Sequence, residues 1–163
     1  DAKSRQYLYV ISKRRTAFEK RFVWWIKDKL DVKKMKEASK LFVGMHDFKA
    51  FSDDSPDDKS TKCLVESLEI TEDKMKIYIR IKASHFLWKM VRRIVGTLVE
   101  VGRGKLKTEE ISELLSTPPL KKIRTDLRSP AASGNKHGNT GEVFTVAELT
   151  APPSGLFLER VEY

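Results

Sequence analysis

From Met75 to Lys82 the chain alternates: Met75, Ile77, Ile79 and Ile81 interleave with Lys76, Tyr78, Arg80 and Lys82. A period of two predicts a strand, here with one oily face and one basic face that carries a tyrosine. A second strand-like run, Lys62–Thr71, precedes it across the short Glu72-Asp73-Lys74 turn. Tyr7-Leu8-Tyr9-Val10-Ile11 is aromatic and β-branched and predicts a strand; Leu156–Tyr163 predicts another. Elsewhere the period lengthens. Met35, Ala38, Leu41 and Phe42 share one face of a helix that Asp31 would cap and Gly44 would end. In SHFLWKMVRRIVGTLVEVGRGKL, Leu87, Met90, Val91, Ile94, Leu98 and Val101 fall on one helical face. That pattern predicts a helix with Ser84 as N-cap and Gly102 as stop. Thr108, with Glu109 and Glu110 behind it, starts a shorter helix that ends at Thr117-Pro118-Pro119.

The order strand, helix, strand, strand, helix, strand is the β-α-β-β-α-β pattern of a ferredoxin-like fold. The expected class is therefore α+β: one antiparallel sheet with helices on one face, in a single domain over residues 1–163. Ser129–Glu142 is rich in Gly, Ser and Asn and predicts a mobile loop within that domain.

Two adjacent arginines interrupt the most apolar helix. On the wheel, Arg92 falls beside Trp88, Val95, Gly96 and Val99, whereas Arg93 falls with Lys89 and Glu100 on a solvated side. A guanidinium among apolar groups needs an anionic partner or a route to water. A carboxylate of the same chain, snorkelling, and an anion with a functional role all meet that need.

Composition narrows the partners. The 163 residues are 40% hydrophobic, enough to bury a core. A net charge of +9 points to an anionic partner, either nucleic acid or an acidic surface. Basic residues cluster at Lys13, Arg14, Arg15, Lys20 and Arg21, and again at Lys121, Lys122, Arg124 and Arg128. Cys63 is the only cysteine, which excludes an internal disulfide and fits a reducing compartment. No apolar run reaches the roughly eighteen residues of a membrane-spanning helix. DAKSRQYLYV lacks the apolar core of a signal peptide and reads as the middle of a longer chain.

Other candidates have plainer readings. The three histidines are scattered and no cysteine cluster accompanies them, so no metal site is expected. His46-Asp47-Phe48 reads as a loop whose Phe48 and Phe51 pack on the core. Asp53, Asp54, Asp57 and Asp58 lack calcium-loop spacing and read as a solvated acidic loop. Trp24, Trp25 and Trp88 read as core or interface aromatics.

FLWKMVRRIVGTLVEVGRGKL, GMHDFKAFS, AKSRQYLYVI and APPSGLFLERVEY occur in an order that resembles the C-terminal half of the tRNA pseudouridine synthase A family. The resemblance implies an isomerase that converts uridine in the tRNA anticodon stem-loop to pseudouridine, without cofactor or metal. It further implies a cytoplasmic homodimer. The uracil is detached from its ribose, turned and rejoined through carbon, which requires the base to leave the stack. In the family, a tyrosine of the R-x-Y-x-Y strand lies against the base; Tyr7 matches it, with Arg5 before and Tyr9 after. The arginine of the family's M-V-R block pairs with the catalytic aspartate, and Arg92 occupies that position. Leu156 matches an apolar pocket wall. Arg93 and the VGRGKL exit, with Arg103 and Lys105, would then face RNA phosphate together with Lys13, Arg14 and Arg15.

The chain departs from the family at one point of consequence. The R-T-D-x-G-V-H-A motif that carries the family's aspartate does not occur in these residues. Arg124-Thr125-Asp126 repeats three of its letters, but Leu127-Arg128-Ser129-Pro130 follows and the position in the chain is wrong, so Asp126 is rejected as nucleophile. The expectation is a C-terminal portion without activity of its own. Two alternatives are a tRNA-binding relative that has lost the reaction and a stand-alone RNA-binding module of the RRM type. The latter lacks its signature, because in MKIYIRIK only Tyr78 could stack a base.

Overall fold

Strand β1 (Ser4–Ser12) runs through the middle of the sheet in the computed structural model, which describes residues 1–53, 60–116, 122–125 and 142–163. On one side β1 pairs antiparallel with β5 (Lys76–Ala83), which pairs with β4 (Lys62–Glu72) as the alternation predicts. On the other side lies β8 (Leu156–Glu162), also antiparallel. Counting only these strands, the order across the sheet is last, first, third, second, which is the ferredoxin-like arrangement.

Two elements that the alternation did not mark enlarge it to a mixed sheet of six strands. β2 (Trp24–Trp25) lies parallel to the end of β1, and β3 (Gly44–Asp47) lines the outer edge of β4. His46-Asp47-Phe48 was expected to be loop; β3 forms because His46 and Asp47 find backbone partners in Cys63 and Lys62. A separate hairpin joins β6 (Lys122–Thr125) to β7 (Glu142–Thr145). The loop expected at 129–142 lies outside the described residues, except that Glu142 opens β7.

The β4–β5 turn is built by Asp73. Its carboxylate accepts from the Met75 and Lys76 amides at 2.8 and 2.7 Å, and these donors hold its pKa below the usual carboxylate range. Beyond the turn, Ile77, Ile79 and Ile81 face Ile11, Tyr9 and Tyr7 across the β1–β5 ladder. Helices α1 (Val32–Ser39) and α2 (Met90–Gly102) cover that face, and a short helix α3 (Thr108–Leu114) adds Ile111 and Leu114 to the core. Asp31 caps α1 as expected, accepting from the Lys34 amide at 3.1 Å. Phe48 and Phe51 are fully buried, also as expected.

The opposite sheet face is not a basic platform. Lys82 pairs with Glu162 and Glu66, Arg80 with Glu159, and Lys76 with Glu19. Tyr78 donates its hydroxyl to Asp73. The basic row read from β5 is thus met by carboxylates from β4, β8 and the segment between β1 and β2, and the RRM alternative loses its RNA-facing sheet.

Helix α2 begins later than its hydrophobic pattern suggests. Ser84 does not cap it, because the Ser84 amide is still held by the Leu64 carbonyl at 3.0 Å. Residues 84–89 form a turn instead, ending at Lys89 with a left-handed φ of 63°. From Met90 onward α2 is buried on nearly all sides, because a short 3-10 helix, Val146–Leu149, covers the flank away from the sheet. Gly96 makes that contact possible: a Cβ there would stand 1.4 Å from the Leu149 carbonyl oxygen.

Candidate active site

Tyr7 sits partly buried on the helix-covered face of β1, and Phe86 meets its ring edge-on at a centroid distance of 5.0 Å. Two residues further along, Tyr9 is buried and donates its hydroxyl to the Pro152 carbonyl at 2.5 Å. Burial pushes the Tyr9 phenol well above its ordinary pKa, and the nearby charge of Arg92 only partly opposes this. Tyr9 therefore acts as a fixed strut rather than a titrating group.

Arg92 occupies the first turn of α2 and is clamped to the segment after the 3-10 helix. Its Nε donates to the Ala151 carbonyl at 2.7 Å, while the Ala151 amide donates to the Arg92 carbonyl at 3.0 Å. Among the described residues no partner meets the terminal guanidinium nitrogens. The fork is held by its neck and keeps its bidentate end available for an anion.

Leu156 opens β8 opposite Tyr9. The glycine before it is required, since a Cβ on Gly155 would stand 2.7 Å from the Val10 carbonyl oxygen and 2.8 Å from the Tyr9 ring. Close approach of this turn to β1 brings Leu156 beside Tyr7. Tyr7, Arg92 and Leu156 together line one cavity of about 350 Å³, with Phe86, Trp88 and Pro153 among the other residues of its wall. That size falls within the range of small-molecule clefts. A larger cavity of about 800 Å³ lies at the other end of β1, lined by Ser12, Lys13, Asp28 and Glu72 among others. Its carboxylates are already engaged, Glu72 by Lys13, Asp28 by Arg103 and Asp31 by the Lys34 amide, and it holds none of the three motif residues.

Arg93 requires a correction. The wheel placed it on a solvated, RNA-facing side, yet it is only 4% exposed and its Nη2 pairs with Asp53. The same carboxylate accepts from Lys89 Nζ at 2.8 Å. The wheel failed because α2 is packed on two flanks, so its second face points into protein rather than water. Asp53 is likewise not a free member of an acidic loop; Asp54, Asp57 and Asp58 lie outside the described residues. Hydrogen bonds from Lys89 first, and Arg93 next, lower the Asp53 pKa. A lowered folded-state pKa contributes stability above the unfolded value, and that contribution is lost as pH falls through the folded one. Asp53→Asn should therefore lower the melting temperature at pH 7, by the equivalent of about 1 kcal/mol at this half-exposed carboxylate. It should also lessen the drop in melting temperature between pH 5 and 3; equal acid sensitivity in the two proteins would refute the assignment.

The other basic candidates divide. Arg103 is engaged by Asp28 and Glu100, and Lys13 by Glu72 and the Asp73 carbonyl. Arg14, Arg15 and Lys105 are exposed, Arg15 lying over the Trp25 ring at 5.7 Å. Trp88, expected in a core or interface, is 66% exposed. Asp47 is structural, accepting from Thr61 at 2.6 Å and from the Lys49 amide at 3.0 Å. Arg124 and Thr125 belong to β6, and Asp126 lies outside the described residues. Among the described residues no group of three or more His, Cys, Asp or Glu is placed to hold a metal ion, and no helix is long and apolar enough to cross a membrane.

Sequence reasoning missed Phe86, Ala151 and Asp53. Ala151 acts through its backbone and leaves no side-chain signal. Phe86 was assigned to a helix that starts four residues later, and Asp53 was hidden among neighbouring aspartates.

Fold and site together define an α+β protein with a ferredoxin-like core. Its cavity combines a phenol, a clamped guanidinium and an aliphatic wall. A family model described as tRNA pseudouridine synthase matches residues 38–163, and the chain belongs to that family. It is 38% identical over 159 residues to a tRNA pseudouridine synthase A 2 of Clostridium perfringens, covering 96% of this chain and 55% of that protein. It is 33% identical to a tRNA pseudouridine synthase A of Citrifermentans bemidjiense over 100% of this chain and 57% of the relative. A Bacillus cereus tRNA pseudouridine synthase A 2 is 35% identical over 100% of this chain and 58% of its own length. The chain thus spans little more than half the length of these relatives.

Proposed function

We propose that this chain is the C-terminal part of a tRNA pseudouridine synthase that isomerises uridine in the anticodon stem-loop. The nucleophilic aspartate would come from outside these 163 residues. The observation that carries the reading is the convergence of Tyr7, Arg92 and Leu156, far apart in sequence, on one cavity.

In this reading the aspartate docks against the terminal nitrogens of Arg92. Met90, Val91 and Val95 around that site are buried, so the ion pair forms in a low-dielectric setting that favours the ionised carboxylate. The flipped uracil lies against Tyr7, with Leu156 as the apolar wall, and Tyr7 assists proton removal as the base is rejoined through carbon. Phe86 fixes the Tyr7 ring. Neither metal nor cofactor takes part. Exposed Arg14, Arg15 and Lys105 contact tRNA phosphates. The complete protein works as a cytoplasmic homodimer.

Release of tritium from tRNA labelled at C5 of uridine tests this. The 163-residue chain alone should release none, whereas the complete protein should release tritium and lose that activity with Tyr7→Phe. Release by the isolated chain would refute the assignment of the nucleophile.

A further inference from the structure

The fork of Arg92 is aimed by a carbonyl, and that carbonyl is held in turn. Arginine is rotamer-rich, so fixing its Nε removes most of the freedom that precedes the guanidinium. The Ala151 carbonyl that does so, at 2.7 Å, belongs to a turn running on through Pro152 and Pro153 to Gly155. Two consecutive proline rings fix φ at each position, so this turn moves as a unit. Its anchor in the sheet is Tyr9, which shares the helix-covered face of β1 with Tyr7. The Tyr9 hydroxyl donates to the Pro152 carbonyl at 2.5 Å, and Ser154 Oγ adds a longer tie to the Val23 carbonyl at 3.2 Å. The Tyr9 ring is itself fixed, with Trp24 edge-on at 6.3 Å and Gly155 packed against it. Trp24 is held under Arg103, whose guanidinium is tied to Asp28 and Glu100. At 1% exposure, phenylalanine would fill the Tyr9 volume without a buried hydroxyl to satisfy. What the hydroxyl adds is its single bond to the turn.

We infer that the Tyr9 hydroxyl is the positioning group for the Arg92 guanidinium, acting through the Pro152–Ala151 backbone. The inference rests on the pseudouridine synthase reading and adds to it a residue that touches neither base nor nucleophile. Without that bond the turn is free to shift, and the Ala151 carbonyl shifts with it. The fork of Arg92 then meets the nucleophilic aspartate out of line, and small misplacements of this kind are costly in rate. The turn also leads into Leu156, so one hydroxyl steadies both the charged and the apolar side of the cavity.

The test is a double-mutant cycle in the complete protein, read as tritium release from C5-labelled tRNA. Tyr9→Phe should lower kcat roughly tenfold, equivalent to about 1.4 kcal/mol, and leave KM within about twofold of wild type. In Arg92→Lys, which has no Nε for Ala151 to hold, adding Tyr9→Phe should change kcat by less than about twofold. Pro152→Gly keeps the acceptor carbonyl but frees the backbone around it. It should repeat both results, and it carries the test if Tyr9→Phe does not fold. A purely structural tyrosine predicts the same factor in both backgrounds. That result, or an unchanged kcat in Tyr9→Phe, would overturn the positioning role and leave the enzyme reading intact. An inactive wild type would overturn both proposals.

Discussion

Arg92→Ala, made in the complete protein, is expected to lower kcat/KM for uridine isomerisation by at least about 100-fold, because removing one member of a desolvated charge pair strands the other. Its neighbour should behave differently. Arg93→Ala removes the buried partner of Asp53, and its main cost should be stability, about 2 kcal/mol or a melting temperature lower by roughly 4–8 °C. The pair separates two roles for one residue type on consecutive positions. Arg92 is clamped through Nε and offers its fork to the cavity, whereas Arg93 is consumed inside the fold. Equal losses of activity in the two variants, at matched stability, would refute the division. Arg92→Lys is the sharper probe, since it keeps the charge but loses both the Nε bond to Ala151 and the bidentate end. It should recover only a small part of the activity.

Gly96→Ala should produce the largest loss of stability. Alanine is favoured over glycine within a helix by about 1 kcal/mol. Against that, the added Cβ would lie 1.4 Å from the Leu149 carbonyl oxygen and 3.2 Å from the Ala151 amide nitrogen. Those are backbone atoms and cannot rotate aside, so overpacking costs about 3 kcal/mol or more. The clash wins, leaving a net loss of at least about 2 kcal/mol and a melting temperature lower by roughly 4–8 °C or more. Relief requires the Val146–Ala151 segment to move away, which breaks both hydrogen bonds between Arg92 and Ala151. Activity should therefore fall in the complete protein even at temperatures where Gly96→Ala remains folded. An unchanged melting temperature would show that the segment does not pack on α2 as described.

How far the site could be read from residues alone differs from one residue to the next. The wheel set Arg92 among apolar neighbours and left its partner open, the M-V-R block singled it out by resemblance, and Gly96 beside it already signalled a close approach. The same wheel misassigned Arg93, because helical periodicity describes one helix and carries no information about a second covering layer. That layer comes from residues 146–151, more than fifty positions later, and their contacts with α2 depend on folding. The helix start around Trp88 was misplaced for a related reason. Its run, Phe86-Leu87-Trp88, has the composition of a helix start, but the sheet holds the Ser84 amide and delays α2 to Met90.

By itself the sequence determined the four principal strands, both main helices, the α+β class and the family resemblance, because alternation, helical periodicity, capping residues and motifs are local and survive in one dimension. Tertiary structure alone decided that carboxylates from other segments meet the basic face of β5, that Asp53 meets Arg93, and that Ala151 holds Arg92 by its neck. It alone brought Tyr7, Arg92 and Leu156 to one cavity. These are contacts between segments far apart in the chain, some through side-chain ion pairs and some through backbone atoms, and no residue type encodes its partner in advance.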